Sequence, residues 1–444
     1  MLLFRFVFLF LFFFFTQFSF FQRDIINDSE VLLNVPGLRY RVISSFLPRP
    51  QSINILEVDP TKYRVELVSG GIDKVGCDTV SSIVKRVNGI AGINGGLFLY
   101  KYHDSRFADL PVQILKIGNK WFSDPKKFCN TSVGLIGIIG WNNGGIEVDL
   151  VNMSMKWELK IGKNIYPINR INKPRGKNRS ILYFPTMGET TLSSKNGIEI
   201  IVRKNKIFSI EKNIGNARIP KDGFVYSVGD WLKLDLSNIK VGMPASFNYE
   251  FLSSPISTVK KQVEKPIVIC EQFSESLPAI PGLPFSPVEN LKFRVDFDLN
   301  LTTSNNVIVK KLVDKEYFLG GFPILLSKGE IPQNFDDANI ESTLLLQRHP
   351  RTAVGIKSNG TWVFVVVDGR QSLFSVGMTM NELAYFMKSL GCVEALNLDG
   401  GGSSTFFYMG KVCNNPSGDD WSLFKKAEII ERPVSDALVI LPRD

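Results

Sequence analysis

The sequence predicts an α/β fold with α+β character, in which a mixed β-sheet carries a C-terminal βαβ unit and is joined by an antiparallel, β-rich middle region. Three observations carry that expectation. The chain has 444 residues and 44% apolar content, enough to bury a large core. Two apolar runs, TWVFVVV at 361–367 and VEALNL at 393–398, bracket a stretch with helical periodicity, which is the pattern of a strand, a crossover helix and a parallel strand. From 133 to 270 short alternating segments such as 198–207 and 232–239 are separated by Gly, Asn and Pro, as in antiparallel sheet.

Residues 1–22 are mostly apolar with Arg5 near the start, which predicts a secretory signal or an uncleaved membrane anchor. Either one places the remainder outside the cytoplasm, secreted or anchored by the apolar segment. Residues 23–39 read as a linker and 40–444 as one domain. Within it, 52–60 and 63–70 are strands, and 78–89 is a short amphipathic helix capped by Asp78 and closed by Gly89. The strand in IAGINGGLF, 90–98, ends at Asn94. The Pro- and Ser-rich stretch 271–290 reads as a surface loop or insertion. Thr379 and Glu382 form a capping box for a helix over 379–391, whose Leu383, Phe386, Met387 and Leu390 share a face and whose Gly391 supplies the stop.

The chemistry is expected at the strand ends. Parallel strands finishing at Val367 and Leu398 deliver Asp368 and Asp399 to one rim, with or without a strand between them, and Asn94 repeats the pattern. The run Asp399-Gly400-Gly401-Gly402-Ser403-Ser404-Thr405 requires backbone to pass where no Cβ fits. It is neither a P-loop nor a dinucleotide fingerprint, because the required Lys and the following helix are missing. A tight turn offering N–H groups to an anion remains, against the alternative of a strained hairpin without ligand. Arg351 and His349 in RHPRTAVGI suit a phosphate clamp, although Pro350 also favours a plain loop histidine.

Other classes are disfavoured. The net charge of +9 is spread thinly, without basic runs or zinc-finger signatures, so nucleic acid is not an expected partner. Two histidines and five cysteines without C-x-x-C spacing give no metal site, and no cofactor motif occurs. No G-x-S-x-G elbow is present. Paired carboxylates on one crevice fit glycosidic cleavage, the competing reading being two aspartates that cap turns.

The strings INGGLF (93–98), RHPRTAVGI (348–356), VVVDGRQ (365–371), SVGMTMNELA (375–384), ALNLDGGGSSTF (395–406) and ERPVSDALVI (431–440) together resemble the phosphodiester glycosidase family. The resemblance implies a mixed-sheet α/β fold and hydrolysis of a sugar-1-phosphodiester, N-acetylglucosamine-1-phosphodiester in kind, at its glycosidic bond on a glycan or envelope polymer. It carries over Asn94, Asp368 and Asp399 as catalytic residues. Arg351, Arg370, Asn397, Gly400, Gly401, Gly402, Ser403, Ser404 and Glu431 are carried over as substrate-binding residues. In the assignment made here, Asp399 acts at the anomeric carbon or its attacking water, Asp368 is acid or orienting partner, and Arg351 holds the phosphate. The chain departs from the family pattern in GGGSS for GGGST and INGGLF for INGGFF. A non-catalytic protein that binds phosphorylated polysaccharide in the same crevice is the alternative function.

Overall fold

The computed structural model describes residues 29–443 except 46–48, 101–104, 126–136, 144–148, 152, 254–306, 309–314, 333–334, 336–342 and 418–429. The leader 1–22 and the loop 271–290 lie outside the described residues.

The α/β expectation is overturned. Among the described residues three α-helices accompany 26 strands, so the fold is mostly β with helices at its margins. All the ladders are antiparallel except a two-residue pairing of Arg170–Ile171 with Ser180–Tyr183. The expected βαβ unit fails on adjacency rather than on its elements. Strands Trp362–Val367 and Cys392–Asn397 run parallel, and helix Met380–Ser389 connects them. Between them lies Arg351–Lys357, antiparallel to both. Local pattern records that a strand exists; which strand it pairs with is a non-local matter of packing.

A seven-stranded sheet holds these strands together with Ser29–Val35, Leu38–Ser45, Gln51–Val58 and Ile324–Leu326. Residues 29–39, expected as linker, instead supply its edge strand and the turn at Gly37, where φ is +89°. A five-stranded sheet of Tyr63–Ser69, Ala91–Asn94, Phe406–Tyr408, Lys411–Val412 and Asp436–Pro442 packs against it. The period of two in the sequence sorts the side chains. Phe364 and Val366 point into a core shared with Ile93, Phe406, Leu438 and Ile440 of the second sheet. Val363, Val365 and Val367 point the other way, onto Met380, Leu383, Ala384 and Met387 of the helix. The far face of the second sheet is closed by helix Val80–Arg86 through Val80, Ile83 and Val84. That helix is capped by Thr79, one residue beyond the expected Asp78.

The middle region has its own core, built from sheets Met153–Ile161 with Ala245–Ser253 and Ser180–Tyr183 with Gly223–Val228. Segment 198–207 is a hairpin rather than one strand: Lys204 and Asn205 take φ of +45° and +59° between Ile198–Arg203 and Lys206–Lys212. Segment 232–239 forms no strand. Its alternating Leu232, Leu234 and Leu236 are partly buried against that core, so the alternation records a half-covered extended stretch without a ladder.

Candidate active site

Because neighbouring strands are antiparallel, the rim of the two sheets alternates strand starts with strand ends. In the large sheet it carries Ser52, Asp368, Arg351 and Asn397; in the smaller one, Thr405, Asn94 and Asp436. The sequence places Asp368, Asp399 and Asn94 on this rim, and all three lie there.

Their side chains do different things. Asn94 is fully buried and ties three segments together. Its Nδ2 donates to the Asp399 carbonyl at 2.7 Å, while its Oδ1 accepts from the Thr352 hydroxyl at 2.7 Å and the Thr405 N–H at 3.2 Å. Asp368 is 1% exposed, and its carboxyl is turned inward. It accepts from Ser52 Oγ at 3.0 Å and from Asn414 Nδ2 and the Asn415 N–H at 2.9 Å each. The expected pair of facing carboxylates, Asp368 with Asp399, is therefore not what the crevice presents.

Asp399 is half-buried at the mouth of the glycine turn. Its N–H donates to Gly95 O at 3.0 Å, and its Oδ1 accepts the Gly400 N–H at 3.0 Å. Burial pushes its carboxyl up to about 6, against the opposing pull of the Ser403 hydroxyl, the Arg432 charge, the Gly400 N–H and the Arg370 charge. Its carboxylate neighbour is Asp436, which sequence reasoning missed. Asp436 is 1% exposed; its Oδ1 accepts the Gly96 N–H at 2.9 Å and its Oδ2 the Ser435 hydroxyl at 2.6 Å. Burial pushes it up to about 6 as well, and the Asp399 charge adds to the rise. The signal lay in the two glycines of INGGLF: a Cβ on Gly95 would stand 1.8 Å from Asp436 Oδ1. Gly95→Ala must displace that carboxyl. A loss of about 2 kcal/mol or more is expected in denaturant titration, and wild-type stability in the variant would show that the close approach is unimportant.

The pair sets a pH dependence. Both folded values lie above the ordinary 3.8, so the fold holds these protons more tightly than the unfolded chain. Stability from each is full below about 4 and lost as pH rises through about 6. Asp436→Asn keeps an acceptor for Gly96 and removes a carboxyl that burial and the Asp399 charge hold protonated, so the variant should gain stability at pH 8 and lose less of it as pH rises through about 6. The check is a pH series of thermal melts; a variant whose stability falls with pH as steeply as wild type would show that Asp436 does not contribute.

Of the two arginines expected to bind substrate, Arg351 is placed elsewhere. Arg351, predicted to clamp phosphate, is 1% exposed, and its fork is engaged with protein carbonyls. Nε donates to Met378 O at 2.8 Å and Nη2 to Leu344 O and Gln347 O at 2.7 and 2.8 Å. Burial, with the Arg370 charge, lowers it to about 9. Arg370 instead reaches the turn. It follows Gly369 with φ of +62°, and its guanidinium nitrogens lie 3.1 and 3.2 Å from where a Cβ on Gly401 would be. Gly401 itself has φ of +62° and donates its N–H to Pro350 O at 2.9 Å. Two of the three glycines are thus explained: the Pro350 carbonyl and the Arg370 guanidinium occupy the space that side chains on Gly400 and Gly401 would need. Arg370 Nε and Nη2 stand 3.3 Å from His349 Nδ1, and since Arg only donates, His349 accepts there.

Ser403 is fully buried, and its hydroxyl serves Asp399 and lies 3.5 Å from Arg432 Nη1. The Arg432 guanidinium stacks on Tyr100, 4.4 Å from the ring centroid. Arg432 is the second missed residue, hidden inside ERPVSDALVI. Ser404 faces inward, its hydroxyl 3.2 Å from Thr352 Oγ1 and its carbonyl accepting from Asn414. Asn397 donates to Phe322 O and Leu398 O at 2.6 and 2.9 Å, bracing the turn beside it. Glu431 is drawn away to helix Val80–Arg86, where it accepts the Ser81 N–H at 3.0 Å and the Ser81 hydroxyl at 2.5 Å. Gly402 is buried in the turn.

A polar cleft of about 360 Å³, lined among others by Arg39, Glu57, Asp59 and Asn359, lies at the opposite end of strand Gln51–Val58. Its Glu57 is already held by Arg41 and Lys357.

The profile of the phosphodiester glycosidase family matches residues 285–441. The SPbeta prophage-derived uncharacterized protein YomE of Bacillus subtilis (strain 168) is 44% identical over 93 residues, 21% of this chain and 13% of its own length. N-acetylglucosamine-1-phosphodiester alpha-N-acetylglucosaminidase of Bos taurus is 42% identical over 67 residues, 15% of this chain and 12% of its own. The chain thus matches only about an eighth of the length of these relatives. A crystal structure of a hypothetical protein from Synechocystis superposes with a TM-score of 0.66 at 16% identity, covering 94% of this chain and 64% of that one, which is a likeness of fold. Over residues 285–441 the chain is similar to the phosphodiester glycosidase family.

Proposed function

We propose that the protein is a hydrolase of sugar-1-phosphodiesters that breaks the bond between the anomeric carbon and the phosphate oxygen, on a glycan or envelope polymer outside the cytoplasm. The observation that carries this is the setting of Asp399: a half-buried carboxyl raised to about 6, bonded by the Ser403 hydroxyl and under the charges of Arg432 and Arg370, with the Arg370 guanidinium packed on the adjoining Gly401. Above pH 6 it is ionised, able to attack the anomeric carbon or to activate water there. A phosphate leaving group needs little protonation, so a fixed cation does the work of a general acid. Arg370, rather than Arg351, supplies it. Asp436 keeps a second, protonatable carboxyl behind Asp399, and Asn94 holds the Asp399 backbone in register. No metal or cofactor enters this scheme.

The test is hydrolysis of an N-acetylglucosaminyl-1-phosphodiester in ¹⁸O-labelled water. Label in the sugar's C1 hydroxyl is the expected result. Label in the phosphate would replace this reading with phosphodiesterase chemistry, and sugar-phosphate binding with no turnover would leave the crevice as a binding site.

A further inference from the structure

Beyond Arg370 the chain makes a small turn whose tip no part of the mechanism uses. It is held rigidly at both ends. The Gln371 N–H donates to Ser375 O at 3.0 Å and the Ser375 N–H to Gln371 O at 2.7 Å. Gln371 Nε2 donates to Asn415 O at 2.8 Å, and Asn415 Nδ2 returns a bond to Gln371 Oε1 at 2.6 Å. Ser375, fully buried, donates its hydroxyl to the Asp368 carbonyl at 2.6 Å, and the Val376 N–H donates to Pro50 O at 3.0 Å. Yet this braced turn exposes two adjacent apolar side chains, Leu373 at 90% and Phe374 at 45%. A single exposed Leu is ordinary; a stapled apolar pair three positions along the chain from the Arg370 cation is not accounted for by packing. Leu344 and Leu346 of helix Thr343–Leu346 are also more than a third exposed. That helix contacts the buried Arg351, because Leu344 O takes Arg351 Nη2.

We propose that this turn seats the leaving group, and that the leaving group is a lipid phosphate: a sugar joined through its phosphodiester to an alkyl or polyprenyl chain, with the phosphate on Arg370 and the chain along Leu373 and Phe374. The inference rests on the hydrolase reading above. The reaction balances as hydrolysis: the C1–O bond to phosphate breaks, water gives its oxygen to C1, and the lipid leaves as a phosphomonoester with the proton that water releases. A cation followed directly by apolar surface complements an amphiphile with an anionic head. A nucleoside aglycone would ask for hydrogen-bonding groups that Leu373 and Phe374 lack, and a second sugar would ask for polar partners around its hydroxyls.

The experiment compares two substrates with the same sugar, linked through phosphate to a methyl or a dodecyl group, the latter kept below its micelle concentration. Wild type is expected to favour the dodecyl compound in kcat/KM by about 10- to 100-fold. In Leu373→Ser/Phe374→Ser the preference should fall towards unity while the methyl substrate turns over at the wild-type rate. Equal rates on both substrates in wild type, or a preference that survives the double substitution, overturns the proposal. Equilibrium binding of dodecyl phosphate separates it from the hydrolase reading: tight binding lost in the double variant, with neither substrate turned over, sinks hydrolysis alone. Dodecyl phosphate binding no tighter than methyl phosphate sinks the lipid seat.

Discussion

Asp399→Asn is expected to lower kcat for a sugar-1-phosphodiester by about 10²- to 10⁴-fold, the range for losing a group that acts directly on the reacting centre. Folding should be untouched. An Asn side chain still offers an oxygen to the Gly400 N–H, and the Asp399 N–H bond to Gly95 and the Asn94 bond to the Asp399 carbonyl are made by backbone. Stability should even rise at alkaline pH. The wild-type carboxyl, raised by burial to about 6 from an ordinary 3.8, is charged in a poorly solvated place at pH 8, whereas the amide never is. At pH 4, where both are neutral, the melting temperatures should converge. Such an opposition between stability and activity is what a group kept for chemistry produces. Initial rates alongside melts at pH 4 and 8 check both halves. A variant retaining a tenth or more of wild-type kcat would remove Asp399 from the reaction.

What was legible in the sequence was what local chemistry specifies. The helix Met380–Ser389 begins at Thr379 with its capping box in place and stops before Gly391, at φ of +81°, because caps act over four or five residues. The glycine turn could be recognised as a site of close approach, although what approaches it, the Pro350 carbonyl and the Arg370 guanidinium, comes from another strand end. Adjacency was not legible. Nothing in RTAVGIK says that it lies between the two parallel strands, and without it the sheet reads as α/β instead of a stack of antiparallel sheets. Side-chain direction was equally hidden. Asp368 and Asp399 occupy the same place in the grammar of strand followed by Asp-Gly, yet one meets Asn414 and Asn415, some 46 residues away in the chain, and the other meets the Gly400 N–H, the Ser403 hydroxyl and the Arg432 charge. Asp436 escaped notice because it stands at the first position of a strand that otherwise reads as core.

Asp368→Ala is expected to destabilise the protein by about 3–5 kcal/mol, the usual loss when one partner of a buried, charge-assisted network is removed. Its carboxylate joins the start of strand Gln51–Val58 through Ser52, the 414–415 segment through Asn414 and Asn415, and, by its carbonyl, the turn at Ser375. Deletion leaves three donors facing an apolar methyl group where water has no ready access. Asp368→Asn should recover much of the loss. Its Oδ1 can face Asn414 and Asn415 while its Nδ2 donates to the Ser52 hydroxyl, which has lone pairs to accept. A positioning role therefore orders stability as wild type, then Asn, then Ala, with kcat following the folded fraction and the rigidity of the Arg370 turn. A catalytic role orders the two variants differently: Asn and Ala would be equally inactive, and the Asn protein would melt like wild type while losing its kcat. Denaturant titration and initial rates on the same two variants decide between them, and the second pattern would restore Asp368 to the chemistry beside Asp399.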